Sequence, residues 1–177
     1  MSFENAVNIY TKENAPRVSL DGKLVYVYSA GYVYDVAMGV KHHDPEAIKE
    51  MATELSNMID EDCFLVPAPQ HTGKAEYTLE ICKIIERINP HNITILDVLS
   101  CEPRDTLYDM KKKVKKITKD TKFSSGIMLK DALADIEGPI YFVDNIIATG
   151  TTLRDAQQLI PNIRPLVFAA SRRYFER

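Results

Sequence analysis

Apolar residues along this chain fall into short runs with two spacings, and the switch between spacings predicts its elements. Residues 23–28 (KLVYVY) place β-branched and aromatic side chains on alternating sides and predict a short strand. Asp44, Pro45 and Glu46 then open a helix with a capping carboxylate, a proline at the first position and an acid in the first turn. Ile48, Met51, Ala52, Leu55, Met58 and Ile59 follow at three-and-four spacing and give that helix one apolar face. Residues 63–66 (CFLV) are wholly apolar, as in a strand covered on both sides. After a loop marked by Pro67, Pro69 and Gly73, a helix is predicted over 74–88, with Ala75, Leu79, Cys82 and Ile85 on one side.

Residues 89–92 (NPHN) form a turn, and 93–99 (ITILDVL) predict another buried strand. The stretch to Thr121 is irregular and basic. Beyond it the pattern predicts a strand over 123–129, a short helix over 131–136 and a break at Gly138-Pro139. A strand at 140–143 (IYFV), a helix over 152–160 and a last strand at 166–169 (LVFA) complete the order. Strands alternating with helices predict an α/β fold with a mostly parallel central sheet and helices on both faces. In such a sheet ligands bind beyond the carboxyl ends of the strands, which singles out the loops at 67–74 and 144–152.

Composition narrows this little. The 177 residues are expected to form a single domain over 1–177. The net charge of -3 argues against a chain that coats nucleic acid as a whole. No apolar run approaches a membrane span, and the opening MSFENAVNIYTKEN lacks the basic-then-apolar order of a secretion signal, so a cytoplasmic protein is expected. Cys63, Cys82 and Cys101 are widely spaced and odd in number, and read as small buried apolar residues. Charge is uneven: seven lysines against one aspartate in 111–122 give +6, leaving -9 elsewhere. Such a segment suggests a mobile loop or an anion-facing surface.

The chemistry concentrates in IYFVDNIIATGTTL, residues 140–153. A buried strand delivers Asp144 and Asn145 to its carboxyl end, and the small-residue loop Ala148, Thr149, Gly150, Thr151, Thr152 runs into a helix. Backbone N–H groups of such a loop, at a positive helix end, make a phosphate cradle to which three threonine hydroxyls add donors. Thr152 and Asp155 stand at capping-box spacing. Asp144 lies where it can reach hydroxyls or a cation on the same ligand, so the site wants a sugar phosphate. Neither G-x-G-x-x-G nor G-x-x-x-x-G-K-[ST] occurs, which removes dinucleotide and P-loop readings. His42-His43 are adjacent, a poor metal pair on a helix. Tyr77, Tyr174 and Phe175 can stack on a base, though core packing is the commoner use of such rings.

At these residues, VDNIIATGTTL resembles the phosphoribosyl-diphosphate (PRPP) motif of the type I phosphoribosyltransferase family. The resemblance implies that family's fold, with a small hood and a flexible loop at about 100–122, and a role in nucleotide metabolism. It implies that Ala148, Thr149, Gly150, Thr151 and Thr152 hold the 5′-phosphate, and that Asp144 and Asn145 bond the ribose hydroxyls as catalytic residues. The second of that pair is usually acidic and here is Asn145. The run VPAP followed by Gln70, His71, Thr72, Gly73 and Lys74 resembles the family's diphosphate loop, above all in the branch related to the competence protein ComF, as does Lys41 ahead of the first long helix. The zinc-binding cysteines at the N-terminus of many ComF-like proteins are missing. Arg104, Lys111, Lys112 and Lys113 fall where the family's loop closes over the substrate.

The implied reaction displaces diphosphate from C1 of PRPP by a nitrogen nucleophile, with Mg²⁺ neutralising the leaving group and Asp144 as the carboxylate nearest the metal. The acceptor is an unidentified nucleobase or related nitrogen compound. A regulator that senses PRPP or a nucleotide without turnover is the second reading, supported by Asn145. A ComF-like nucleic-acid accessory protein ranks last, because the lysine run lacks interleaved aromatics. No membrane partner is expected, and a homodimer, the state of many relatives, stays open.

Overall fold

The structure, a computed structural model, describes residues 9–105, 124–131, 133 and 135–176. In chain order the described elements are β1 (Arg17–Leu20), β2 (Lys23–Val27), α1 (Tyr32–Lys41), α2 (Pro45–Ser56), β3 (Cys63–Pro67), α3 (Tyr77–Ile88), β4 (Ile93–Ile95), β5 (Leu99–Cys101), β6 (Ile127–Leu129), β7 (Ile140–Ile147), α4 (Thr151–Leu159), β8 (Ile163–Ala170) and α5 (Arg172–Phe175). Six of these strands form one sheet in the order β1-β2-β8-β7-β3-β4. Every neighbouring pair in it is parallel except β1 with β2, a hairpin closed by Asp21 and Gly22 at φ 51° and 78°. Both turn residues carry the positive φ that a two-residue hairpin loop of this twist requires.

Alternation along the central strands fills two cores. Leu65, Tyr141, Val143, Leu166 and Phe168 face one side and pack with Val33, Val36, Ile48, Met51, Leu55, Ile81 and Ile85 of α1, α2 and α3. Val66, Ile140, Phe142, Ile163 and Val167 face the other side and pack with Leu153 and Ala156 of α4 and Leu99 of β5. A parallel sheet covered on both faces follows from central strands with near-continuous apolar runs such as FLV, IYFV and LVFAA. The α/β class with a mostly parallel sheet and helices on both faces is therefore observed. Among the described residues no helix is long and apolar enough to cross a membrane.

Several local expectations give way. The predicted strand over 93–99 divides at Asp97: Leu96 donates its N–H to Leu65, Val98 folds back onto the Leu96 carbonyl at 2.9 Å, and the chain leaves the sheet. It then pairs antiparallel with β6, fixed by a 3.0 Å Lys130–Asp97 ion pair. The helix predicted from Lys74 starts at Tyr77, because the Gln70 side chain takes the Glu76 N–H and Gly73 sits at φ 100°. Residues 131, 133, 135 and 136 are not helical; Leu133 and Ile136 lie against the second core instead. The strand at 123–129 is seen as β6 from Ile127, and Phe123 lies outside the described residues. Helix α1 was not expected: Tyr32, Val33, Tyr34, Val36 and Gly39 are weak helix formers, and tertiary burial of Val33, Val36 and Val40 outweighs that.

Candidate functional site

The site begins where β7 outruns its neighbour. Pro67, the last residue of β3, pairs with Val143, and beyond that point β7 is bonded only to β8, through Asp144, Ile146 and Ile147. The strand predicted to end at Val143 thus continues to Ile147 and carries Asp144 past the end of β3, into the crevice where open α/β sheets bind ligands. Val143 and Ile146 pack in the same core although three residues apart, so the alternation slips by one at Asp144-Asn145. Side chains take over locally: Asp144 Oδ1 accepts the Asn145 N–H at 2.8 Å, and Asn145 Oδ1 accepts the Ile146 N–H at 2.7 Å.

The following loop folds around a cavity of about 110 Å³, lined by Asp144 and by Ile146 through Leu153. That is room for a polyatomic anion rather than a single water. Gly150 makes the turn at φ 77°, ψ 6°, a left-handed conformation that glycine adopts without strain, and no side chain caps α4 behind it. The capping box expected between Thr152 and Asp155 does not form. Asp155 Oδ2 instead accepts the backbone N–H and the hydroxyl of buried Ser125, at 2.7 and 2.6 Å. The first-turn N–H groups of α4 therefore remain uncapped on residues that line the cavity. Positive partial charge at that helix end favours an anion. Thr149 and Thr151 hydroxyls lie 3.1 Å apart, and Thr151 also accepts Arg154 Nη2 at 3.4 Å.

Burial pushes the Asp144 carboxyl up to about 7, against the opposing pull of the Asn145 N–H and the Lys41 charge. Tyr77 stands close enough to feel that carboxylate; burial first, then Asp144 and Glu76, raise its hydroxyl above the ordinary range. His43 presents its ring edge to Tyr77 at 6.1 Å and lies 3.7 Å from Glu76. The C-terminal end of α1 and the start of α3 thus lie near Asp144. Sequence reading noted Lys41 and Tyr77 but had no spacing with which to join them to Asp144.

The 67–74 loop emerges from β3 beside this cavity, since the Ala68 N–H donates to the Val143 carbonyl at 2.9 Å. Gln70, expected to bind diphosphate, is committed within the loop: its amide donates to Ala68 and to the Thr78 hydroxyl, both at 3.0 Å, and accepts the Glu76 N–H. Gly73 is buried against β5, where a Cβ would come within 2.5 Å of the Cys101 carbonyl. His71, Thr72 and Lys74 are exposed on the rim, and Thr72 donates to Glu76 at 3.1 Å. Arg104 joins the same loop, its N–H bonded to the His71 carbonyl at 2.8 Å, while its Nε is buried without a hydrogen-bond partner. Lys111, Lys112, Lys113 and the rest of the lysine run lie outside the described residues. Among the described residues no cluster of three or more histidine, cysteine or acidic side chains is arranged to hold a metal. No protein-family model matches the chain, and no curated protein matches it.

Proposed function

We propose that the protein is a phosphoribosyltransferase with the type I fold, transferring ribose 5-phosphate from PRPP to a nitrogen acceptor with release of diphosphate. One observation carries the reading: a raised, half-buried carboxyl and an uncapped, left-handed threonine-glycine loop line a single cavity at the carboxyl end of a parallel strand. An anion cradle within one loop of a carboxylate suits a phosphorylated sugar, with phosphate on the α4 N–H groups and ribose hydroxyls toward Asp144. His71, Thr72 and Lys74 are exposed on the adjoining loop, to which Arg104 is bonded, and would meet the diphosphate.

In the reaction the acceptor nitrogen forms a bond to C1 as the C1–O bond to diphosphate breaks, and that electron pair leaves with the diphosphate. Positive charge develops on the ribose ring, and the Asp144 carboxylate offsets it from a site that burial has made less polar than water. The acceptor proton passes to solvent or to the departing anion. Asn145, whose side-chain Oδ1 accepts the Ile146 N–H, shapes the strand end rather than adding a second carboxylate. Asp144, the one carboxylate among the described residues lining the cavity, would be the protein's ligand for an Mg²⁺ held otherwise by waters and substrate phosphates, and such an ion would neutralise the leaving diphosphate.

The inward commitment of Asn145 also supports the second reading, a PRPP or nucleotide sensor without turnover. Calorimetric titration of PRPP with Mg²⁺ into wild type and Asp144→Ala tests the site, and diphosphate release across a panel of nucleobases separates enzyme from sensor. Binding lost in the variant supports the cradle. A wild type that ignores PRPP at millimolar concentration ends both readings.

A further inference from the structure

We propose that Tyr174 is a positioning residue: its ring, carried on α5, backs Gly150 and holds the anion loop in its binding shape before any ligand arrives. A Cβ on Gly150 would stand 2.6 Å from Tyr174 Cε2 and 3.0 Å from Cδ2, so the ring lies directly against the glycine backbone. Tyr174 is not among the residues that line the cavity. It acts through Gly150 and not on a ligand.

The ring is itself held. The Ser171 N–H donates to the Ile147 carbonyl at 2.8 Å, tying the start of α5 to the last residue of β7, from which the loop departs. Tyr174 returns its N–H to the Ser171 carbonyl at 3.0 Å, and the Ser171 hydroxyl accepts the Arg173 N–H at 3.3 Å. One face of the ring is half-buried against the core that includes Leu153 and Ala156 of α4, and Phe175 meets it edge-on, centroids 5.3 Å apart at 85°. Loop and brace therefore hang from the same strand end. Glycine visits both signs of φ with little preference, so a turn built on Gly150 needs an external surface to stay in one conformation. Fixing it beforehand removes that ordering from the free energy of binding.

The inference rests on the phosphoribosyl reading for its ligand but not for its mechanics, and two measurements on the full chain separate them. Amide hydrogen exchange is followed in ligand-free wild type, Tyr174→Phe and Tyr174→Ala, and ribose 5-phosphate is titrated into each by calorimetry. Tyr174→Ala is expected to speed exchange at residues 148–153 and to weaken the phosphate ester by about tenfold. Tyr174→Phe, which keeps the ring, is expected to restore both. Unchanged loop exchange in Tyr174→Ala overturns the proposal, as does acceleration spread evenly over β7 and β8, which would mean a general loss of stability. Failure of Tyr174→Phe to restore affinity also overturns it, because the hydroxyl would then be contacting ligand. A wild type that binds neither ribose 5-phosphate nor PRPP sinks the phosphoribosyl reading, and loop exchange alone then decides the brace.

Discussion

Two concave polar regions of this protein differ in size in the opposite sense to their chemistry. The larger, a groove of about 460 Å³, runs between the β1–β2 hairpin and the end of α2, with Arg17, Lys23 and Glu54 on its walls. Its buried carboxylate, Glu54, is already matched. Glu54 takes Lys12 Nζ at 2.7 Å, the Tyr26 hydroxyl at 3.3 Å and Arg17 at 3.8 Å, Lys12 also reaches Glu50 at 2.6 Å, and Lys23 donates to the Met58 carbonyl at 2.7 Å. The smaller cavity, about 110 Å³, holds Asp144 with no ion pair among the described residues, at the uncapped end of a helix. Volume favours the groove, and unmatched charge favours the cavity. A charge matched within the fold supports the fold, whereas a charge kept under-partnered at a cost in stability marks a place prepared for a ligand.

That contrast breaks most visibly at Glu54. Replacing it by alanine leaves Arg17 without its carboxylate and Lys12 with Glu50 alone, around a carboxylate-sized gap, and is expected to destabilise the fold by about 3 kcal/mol in urea titration. PRPP affinity of the folded fraction should not move. A variant of wild-type stability that has lost PRPP binding would mean that the larger groove, not the cradle, is the site.

Asp144→Asn should do the reverse. With the folded carboxyl at about 7 against an ordinary 3.8, the native state keeps a proton that the unfolded chain has released in that window. Wild-type stability therefore falls as pH rises from about 4 to 7 and levels off above. The asparagine variant lacks this slope: it should match wild type near pH 4 and exceed it at pH 8 by about 2–3 kcal/mol, while losing PRPP binding. Parallel stability curves for the two proteins would show that the carboxyl is not held at a cost.

These two regions were unequally legible in the sequence. The cradle lies within one stretch, apolar IYFV, the Asp-Asn pair and, after Ile146-Ile147, the A-T-G-T-T turn, so its place between a buried strand and a helix followed from pattern, although the strand runs on to Ile147. The Lys12, Arg17, Glu50 and Glu54 network is assembled from two segments about forty residues apart, each of which reads as an ordinary solvated face. Tyr174 read only as a stacking or core ring for the same reason, since β7–β8 pairing and the Ser171–Ile147 hydrogen bond bring it to Gly150 from a distant segment. Spacing also misled. Asp155 sits three residues after Thr152 as a capping box requires, but Gly150 caps the helix and Ser125, beyond the lysine run, claims the carboxylate. Gln70 read as a ligand donor because a loop amide carries no sign of its local partners.

Asp155→Ala sharpens the same line with a smaller effect. Its carboxylate satisfies two donors on Ser125, which is 1% exposed, and so fastens β6 onto α4 behind the cradle. Loss of those bonds should cost about 1–2 kcal/mol. PRPP binding should fall by less than it does in Asp144→Asn. An equal fall would place Asp155 in the site itself.

Lys12→Met gives the smallest effect and the clearest separation by pH. The lysine is 41% exposed and Arg17 and Tyr26 remain beside Glu54, so the loss should be about 1 kcal/mol or less. Hydrogen bonds to Glu50 and then Glu54 hold the ammonium above its ordinary 10.5, against the opposing effect of burial. A raised amine contributes fully below that ordinary value and loses its contribution only as pH climbs beyond it. The wild-type advantage over Lys12→Met should therefore stay flat between about pH 6 and 9 and shrink only in stronger alkali. Wild-type stability between about pH 5.5 and 7 carries the Asp144 slope with no contribution from Lys12, because that amine stays charged and its carboxylate partners stay ionised there. Lys12 also holds the Glu50 carboxyl low, so the Lys12→Met difference shrinks below about pH 5 through Glu50 alone; a difference that changes between about pH 5.5 and 7 would couple the two regions and dissolve the distinction between them.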